Sequence, residues 1–130
     1  MIFDNQNVDA KQYSPLALAF IGDGVYNLMV KEKLLTAANR PNGDLHALSV
    51  EKINAVAQSD AVAKIKDHLT EEELAVYKRG RNAHTPRAPK KATIAQYHSA
   101  TVLEALFGFL YLSGQNDRMI QLFNLIHSQE

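Results

Sequence analysis

The stretch LALAFIGDGVYNLMVKEKLLTAA, residues 16–38, decides the fold of this chain of 130 residues. Its apolar residues recur at helical spacing. The preceding Ser14-Pro15 is a typical helix start, with an N-cap serine and a proline at the first helical position. The pattern predicts one long helix. Gly22-Asp23-Gly24 leaves a second interpretation open, a turn between two shorter helices, because each glycine costs roughly 1 kcal/mol of helix propensity relative to alanine.

The middle of the chain continues the helical pattern after a break. Residues 39–43 contain asparagine, proline and glycine and are typical of a turn. Asp44 follows, and we expect it to cap a short helix that ends at Leu48. The apolar spacing of residues 50–68 then predicts a second long helix.

The second half of the chain is helical by the same criteria. Thr70-Glu71-Glu72-Glu73 has the form of a capping box, which predicts a helix that runs to Arg79 and stops at Gly80. Two more helices are predicted at residues 94–112 and 117–127. Because no segment alternates as a strand would, the sequence predicts an all-α fold in a single domain, residues 1–130.

Composition excludes several classes of protein. Hydrophobic residues make up 46% and charged residues 22%, the balance of a globular protein with a real core rather than of a disordered chain. The apolar runs are too short to cross a membrane, and the N-terminus lacks the pattern of a signal peptide. The absence of cysteine excludes disulfides and thiolate metal sites. We therefore expect a cytoplasmic protein without a membrane partner.

The charges are unevenly distributed although their sum is zero. Six basic residues and no acid lie between residues 78 and 91, so the rest of the chain has eight basic residues against fourteen acidic ones. Such a segment can be a solvated surface loop, or it can bind a polyanion. Its prolines predict a loop. The six residues are Lys78, Arg79, Arg81, Arg87, Lys90 and Lys91.

Two carboxylates lie within apolar helical patterns. Asp23 has Ala19, Phe20, Tyr26 and Asn27 as helical neighbours, and Glu104 lies in an apolar stretch with no other acid nearby. A buried carboxylate needs a partner, and the common one is a structural ion pair with arginine or lysine. The other is a hard cation such as Mg²⁺, which takes one or two carboxylates together with water and phosphate oxygens. Beside a basic segment, this second interpretation indicates metal-assisted phosphodiester hydrolysis.

The sequence resembles the catalytic domains of the ribonuclease III family. Phe20-Ile21-Gly22-Asp23-Gly24-Val25 is similar to the signature helix of that family, and Leu103-Glu104-Ala105-Leu106-Phe107-Gly108 is similar to its second acidic helix. Residues 78–83, KRGRNA, and the segment from Asn42 to Leu48 resemble the Mini-ribonuclease III branch. The resemblance extends from about Leu16 to Asn124 and implies a ribonuclease III-like helical bundle.

The chain also departs from ordinary ribonuclease III. Ala19, Leu16 and Thr101 stand where ordinary members of the family have further acids, so only Asp23 and Glu104 remain of that acidic cluster, which fits the Mini branch. The length leaves no room for a separate domain that binds double-stranded RNA. We therefore expect RNA affinity to come from the catalytic domain and from dimerisation.

The resemblance implies a function and a set of site residues. It implies a double-strand-specific endoribonuclease that acts as a homodimer and matures precursor 23S ribosomal RNA at its stem, with a ribosomal protein assisting. Asp23 and Glu104 are the expected catalytic residues and ligands of Mg²⁺, for which Mn²⁺ can substitute. The expected contacts to the RNA backbone are Lys78, Arg79, Arg81, Asn82, Arg87, Lys90 and Lys91.

Two other functions stay open at this point. The same fold could serve as a non-catalytic module that binds double-stranded RNA or assists ribosome assembly, which would bind RNA without cleaving it. Alternatively, the chain could be a helical protein-interaction domain in which both acids form buried ion pairs. The presence of both Asp23 and Glu104 favours the nuclease, since a binding module has no use for carboxylates that face phosphate.

Overall fold

Six α-helices form the part of the chain that the structure describes. The computed structural model covers residues 1–3, 7–83 and 93–128, and these ranges contain no β-strand, which confirms the all-α prediction. None of the described helices is long and apolar enough to span a membrane. The helices are α1 (Pro15–Ala37), α2 (Asn42–Ile53), α3 (Ala55–Ile65), α4 (Glu71–Arg81), α5 (Ile94–Leu112) and α6 (Asn116–His127), with short 3₁₀ turns at Ala10–Gln12 and Lys66–His68.

Helix α5 is the centre of the fold. It packs most extensively against α1, and also against α3, α4 and α6. Its residues 100–110 are buried with the exception of Glu104, which is partly exposed. A helix that is apolar on every side is stable only when other helices cover it, as they do here. This packing places Glu104 at the edge of the core.

Helix α1 is continuous, as the apolar spacing predicts. The Ser14 side chain accepts a hydrogen bond from the backbone N–H of Ala17 at 3.2 Å, and Pro15 occupies the first helical position. The helix continues through Gly22-Asp23-Gly24, so the interpretation of these residues as a turn is wrong. Both glycines are tolerated because α1 packs along its length against α5.

The prediction of one helix over residues 50–68 is wrong, because the helical conformation is interrupted at Asn54. The Asn54 side chain accepts a hydrogen bond from the N–H of Ala57 at 2.9 Å, and it donates one to the carbonyl oxygen of Val50 at 2.9 Å. These bonds cap the start of α3 and add to the backbone bond from the Asn54 N–H to the Val50 carbonyl oxygen at the end of α2. The result is two shorter helices instead of one.

The short helix predicted to end at Leu48 is correspondingly longer. Helix α2 begins at Asn42 and ends at Ile53, so that Asp44 lies inside its first turn instead of capping it. The carboxylate still lies near the helix N-terminus, where negative charge is favourable.

Helix α4 begins as predicted but ends later. The N–H of Glu73 donates to Thr70 Oγ1 at 3.2 Å, and the N–H of Thr70 donates to Glu73 Oε1 at 3.0 Å, which confirms the capping box. The helix continues past Gly80 to Arg81. A Cβ atom at Gly80 would lie 3.2 Å from Val102 Cγ2, so this glycine serves close packing against α5 rather than helix termination.

The last two helices agree with the sequence pattern. Helix α5 has the predicted bounds, and Thr93 and Gln96 form a capping box at its start. Gly114 ends it with a φ of 74°, a conformation that favours glycine. Helix α6 begins at Asn116, one residue before the predicted start.

A buried ion pair connects the start of α4 to α6. Glu73 is 1% exposed, and Arg118 donates to its two carboxylate oxygens at 2.8 and 2.9 Å. Arg118 also donates to the carbonyl oxygen of His68 at 2.6 Å. Burial opposes ionisation of Glu73, but hydrogen bonds from Arg118 and Thr70 outweigh it and hold the pKa of Glu73 below its usual value. The pair therefore stabilises the fold and lies apart from the candidate site.

Candidate active site

Two glycines bring α1 and α5 into backbone contact. A Cβ atom at Gly22 would overlap the carbonyl oxygen of Glu104, and one at Gly108 would overlap the carbonyl oxygen of Leu18. Because the contact residues rise along α5 as they fall along α1, the two helices run antiparallel here. The close approach is possible only without side chains at these positions, and it fixes Asp23 beside Glu104.

The carboxyl groups of Asp23 and Glu104 face each other across this crossing. Burial raises the pKa of Glu104 to about 9, and the neighbouring Asp23 carboxylate adds to the shift through hydrogen bonding and charge repulsion. Neither acid forms an ion pair with a residue of the ranges 1–3, 7–83 and 93–128. The interpretation of Glu104 as one half of a structural ion pair therefore finds no support in the described chain.

The two acids have different surroundings. Asp23 is exposed, so its expected place in the apolar core is wrong, whereas Glu104 lies at the edge of the core. The reason is the angular position of Asp23 on α1, because the helix buries the face that carries Leu18, Gly22 and Tyr26. The site thus combines one carboxylate in contact with solvent and one held among apolar side chains.

This donor set fits a hard divalent cation. Mg²⁺ needs one or two protein carboxylates and completes its shell with water and phosphate oxygens. Among the described residues, no three histidine, cysteine or acidic side chains are placed so that together they could hold a metal ion, so no third ligand of these types joins the pair. A cation between the two carboxyl groups would offset both the desolvation of ionised Glu104 and its repulsion by Asp23.

Three positions have no acid in this chain although ordinary members of the ribonuclease III family have one there, and these positions supply no further carboxylate ligand. Ala19 is buried, and Thr101 is buried with its hydroxyl donating to the carbonyl oxygen of Tyr97 at 3.0 Å. Leu16 is exposed on α1. Within residues 1–3, 7–83 and 93–128, the acidic site consequently consists of Asp23 and Glu104.

The carboxyl pair is open to solvent on its Asp23 side. A cavity of about 500 Å³ lies between α1 and α6, and apolar side chains such as Val30, Leu34 and Phe123 contribute to its lining, but neither carboxyl group does. An open pair of carboxylates suits a large substrate that lies across the surface better than a small molecule enclosed in a pocket.

The predicted RNA-binding residues fall into two groups. Lys78, Arg79 and Arg81 lie in the last turns of α4, and Asn82 follows as its C-cap. These four side chains are exposed. Because α4 includes the first three of these residues, this part of the segment predicted as a loop is helical. Arg87, Lys90 and Lys91 lie outside the described residues.

Two of the α4 arginines have contacts within the chain. The Arg79 guanidinium donates to the carbonyl oxygen of Tyr13 at 2.8 Å and so attaches the segment before α1 to α4. The Arg81 guanidinium lies over the Tyr77 ring, 5.7 Å from its centre, a cation–π distance. Both groups keep donors at the surface, but Arg79 has a structural contact that sequence reasoning missed.

The hydrogen bond between Asn27 and Asp23 was not predicted either, although Asn27 is among the helical neighbours of Asp23. Its side-chain amide donates to Asp23 Oδ1 at 3.3 Å from one turn further along α1. The spacing of four residues was visible in the sequence and could have indicated the contact. The Glu73–Arg118 pair had no comparable signal, because 45 residues separate the partners.

The fold and the carboxyl pair correspond to a known class of domain. The family model described as Ribonuclease III domain matches residues 16–115, a range that includes Asp23, Glu104 and the basic end of α4. This match covers more than half of the chain and places it among the endoribonucleases of the ribonuclease III class.

Similar proteins narrow this class. The Mini-ribonuclease 3 of Thermoanaerobacter sp. is 42% identical over 112 residues, which cover 86% of this chain and 79% of the relative. That of Symbiobacterium thermophilum is 41% identical over 108 residues, 83% of each chain. A crystal structure of a protein from Fusobacterium nucleatum has 31% identity and a TM-score of 0.84, and the match covers 92% of this chain and 98% of that one.

The chain therefore belongs to the Mini-ribonuclease III branch of the ribonuclease III family. Enzymes of this family act on double-stranded RNA and depend in general on divalent metal ions.

Proposed function

We propose that this endoribonuclease is Mg²⁺-dependent and double-strand-specific, and that it matures the ends of precursor 23S ribosomal RNA at its double-stranded stem. The observation that carries the proposal is the convergence of Asp23 and Glu104, with no basic partner in the described chain. The names of the relatives support the ribonuclease class. The ribosomal substrate follows from the resemblance of the motifs, as do assistance by a ribosomal protein and location in the cytoplasm.

In this proposal Asp23 and Glu104 hold the cation. A bound Mg²⁺, for which Mn²⁺ can substitute, supplies Lewis-acid chemistry at the phosphate and makes a water molecule nucleophilic at neutral pH. Glu104 must lose its proton before it can act as a ligand, because its raised pKa keeps it protonated in the metal-free protein at neutral pH. Asp23, which is exposed, offers the carboxylate that solvent and RNA can reach.

The chemistry is hydrolysis of one phosphodiester bond in each strand. Water forms a bond to phosphorus in line with the departing oxygen, the bond between phosphorus and the 3′ oxygen breaks, and that oxygen takes up a proton. The products are a 5′-phosphate and a 3′-hydroxyl. We propose that Lys78, Arg79, Arg81, Asn82, Arg87, Lys90 and Lys91 bind the backbone, which matches recognition of an A-form duplex by shape and charge.

The direct test is cleavage of a long RNA duplex with and without Mg²⁺. We expect discrete products with Mg²⁺, and none in EDTA or from the single strands. A duplex with the 23S stem sequence should be cut at defined positions, and an unrelated duplex of equal length is the control for stem preference. Salt-sensitive binding without metal-dependent cleavage would favour the non-catalytic module instead.

We further propose that residues 1–130 act as one catalytic domain and that two copies pair through α1. Phe20 is 84% exposed and Leu16 is 42% exposed, and they lie one turn apart on a helix face beside Asp23. Exposed apolar side chains grouped in this way are typical of an interaction surface. A twofold contact would bury them and bring two carboxyl pairs to one duplex.

Replacing Phe20 with aspartate is expected to convert the dimer into a monomer, because a charge would be buried at the centre of the contact. Size-exclusion chromatography with light scattering measures the mass directly. Val56→Asp makes a comparable change at an exposed position on α3 and should leave the dimer intact. A wild-type protein that is monomeric at micromolar concentration would contradict the pairing.

A further inference from the structure

Asp23 has a neighbour that restrains its side chain. An exposed aspartate on a helix has several rotamers available, and most of them would direct the carboxylate away from Glu104. The Asn27 amide nitrogen donates to Asp23 Oδ1 at 3.3 Å, four residues along the same helix face. This bond restrains the carboxylate from within α1, in addition to the hydrogen bond between Asp23 and Glu104 of α5.

The same amide leaves its own oxygen without a partner. Asn27 Oδ1 is buried and accepts no hydrogen bond within the described part of the chain. Buried polar atoms are nearly always paired, and leaving one unpaired costs free energy. Turning the amide over would place its oxygen against a carboxylate that can only accept, so this orientation is required by the bond to Asp23.

We propose that Asn27 is a positioning residue that holds the Asp23 carboxylate toward Glu104, so that the pair is formed before a divalent cation binds. The proposal rests on the proposed function, because it assigns Asn27 to the same cation site. An unfavourable buried oxygen retained next to a functional group is typical of a site where function takes precedence over stability. Removing a partner that orients a metal ligand in this way typically lowers the metal affinity about 10- to 100-fold.

The test is Mn²⁺ binding to the protein without RNA, measured by electron paramagnetic resonance of the free ion. Asn27→Leu removes both the donor and the unpaired oxygen at similar volume. We expect the Mn²⁺ dissociation constant to rise about tenfold or more, with an unfolding temperature equal to or above that of wild type. The Mn²⁺ concentration needed for half-maximal cleavage should rise by the same factor, and excess Mn²⁺ should restore the rate.

Thr36→Leu is the matched control. It makes a polar-to-apolar change at an exposed position nine residues further along α1 and should leave Mn²⁺ affinity within twofold of wild type. If Asn27→Leu does not fold, Asn27→Ala carries the same expectation, since it only removes atoms from a half-buried side chain.

The outcomes separate the two proposals. Unchanged Mn²⁺ affinity in the Asn27 variant, together with loss of binding in Asp23→Asn, would overturn the positioning role and leave the cation site in place. A wild-type protein that binds no Mn²⁺, or binding that survives Asp23→Asn, would overturn the cation site itself. A lower unfolding temperature with unchanged affinity would show that Asn27 has a structural role only.

Discussion

Asp23→Asn and Glu104→Gln should each lower the rate of duplex cleavage at least about 10³-fold while RNA binding is retained. Loss of a single preorganised electrostatic group at a reacting centre typically costs 10²- to 10³-fold, and here each variant also removes one of two protein ligands. The substitutions keep the shape of the side chain, so the contact between α1 and α5 at Gly22 is preserved. The deficit should therefore appear in the chemical step.

Single-turnover cleavage at saturating enzyme measures that step, and a gel-shift assay in Ca²⁺ or EDTA measures binding separately. Glu32→Gln is the matched control, because it neutralises an exposed acid on α1 nine residues from Asp23 and should cleave like wild type. Cleavage within tenfold of wild type by either site variant would remove that residue from the catalytic machinery. A parallel loss of RNA affinity at an unchanged melting temperature would indicate that the acids act in RNA binding instead.

Features determined by neighbouring residues could be predicted from the sequence. The capping box at Thr70 and the serine cap of α1 were predicted, because each involves residues three apart, whereas the capping box at Thr93 has the same spacing and was not predicted. The break at Asn54 was missed, although asparagine is a good N-cap, because the apolar spacing continued across it. The sequence predicts a helix end at Gly80, but this glycine lies inside α4 and leaves space for Val102 of the neighbouring helix.

Where a feature depends on tertiary contacts, the sequence indicated which residues take part but not how they are brought together. The sequence singled out Asp23 and Glu104 because of their apolar neighbours, but 81 positions separate them, and the crossing at Gly22 and Gly108 is what brings them together. Of the two glycines that flank Asp23, Gly22 admits the backbone of α5, whereas Gly24 has open space beside it. The partner of Glu73 was not predictable, because nothing in the spacing links α4 to α6.

Glu104→Gln should stabilise the metal-free protein at neutral pH even as it abolishes activity. Burial and the adjacent Asp23 raise the pKa of Glu104 from the ordinary value of 4.5 to about 9, so the folded state prefers the protonated form. The stability contributed by this group is fully present below about pH 4.5, and it is lost progressively as the pH rises toward 9. Because glutamine cannot ionise, the variant does not lose this stability as the pH rises.

The expected difference between the two proteins therefore depends on pH. At pH 7 it is on the order of 3 kcal/mol in the free energy of unfolding, which corresponds to roughly 10 °C in melting temperature for a domain of this size. At pH 5 the melting temperatures should nearly coincide. Thermal unfolding followed by circular dichroism in EDTA, at several pH values between 5 and 9, measures this dependence.

Divalent ions should reduce the stability advantage of Glu104→Gln over wild type. A cation that binds both carboxylates favours ionised Glu104 and stabilises the folded wild type by mass action, whereas Glu104→Gln has lost one ligand. Saturating Mn²⁺ should then narrow the gap in melting temperature at pH 7, and Glu32→Gln should follow wild type throughout. If the gap between wild type and Glu104→Gln is the same at pH 5 and pH 8, the glutamate is not held protonated by Asp23 and the apolar core. The carboxyl pair would then lack the repulsion that makes a cation its natural partner.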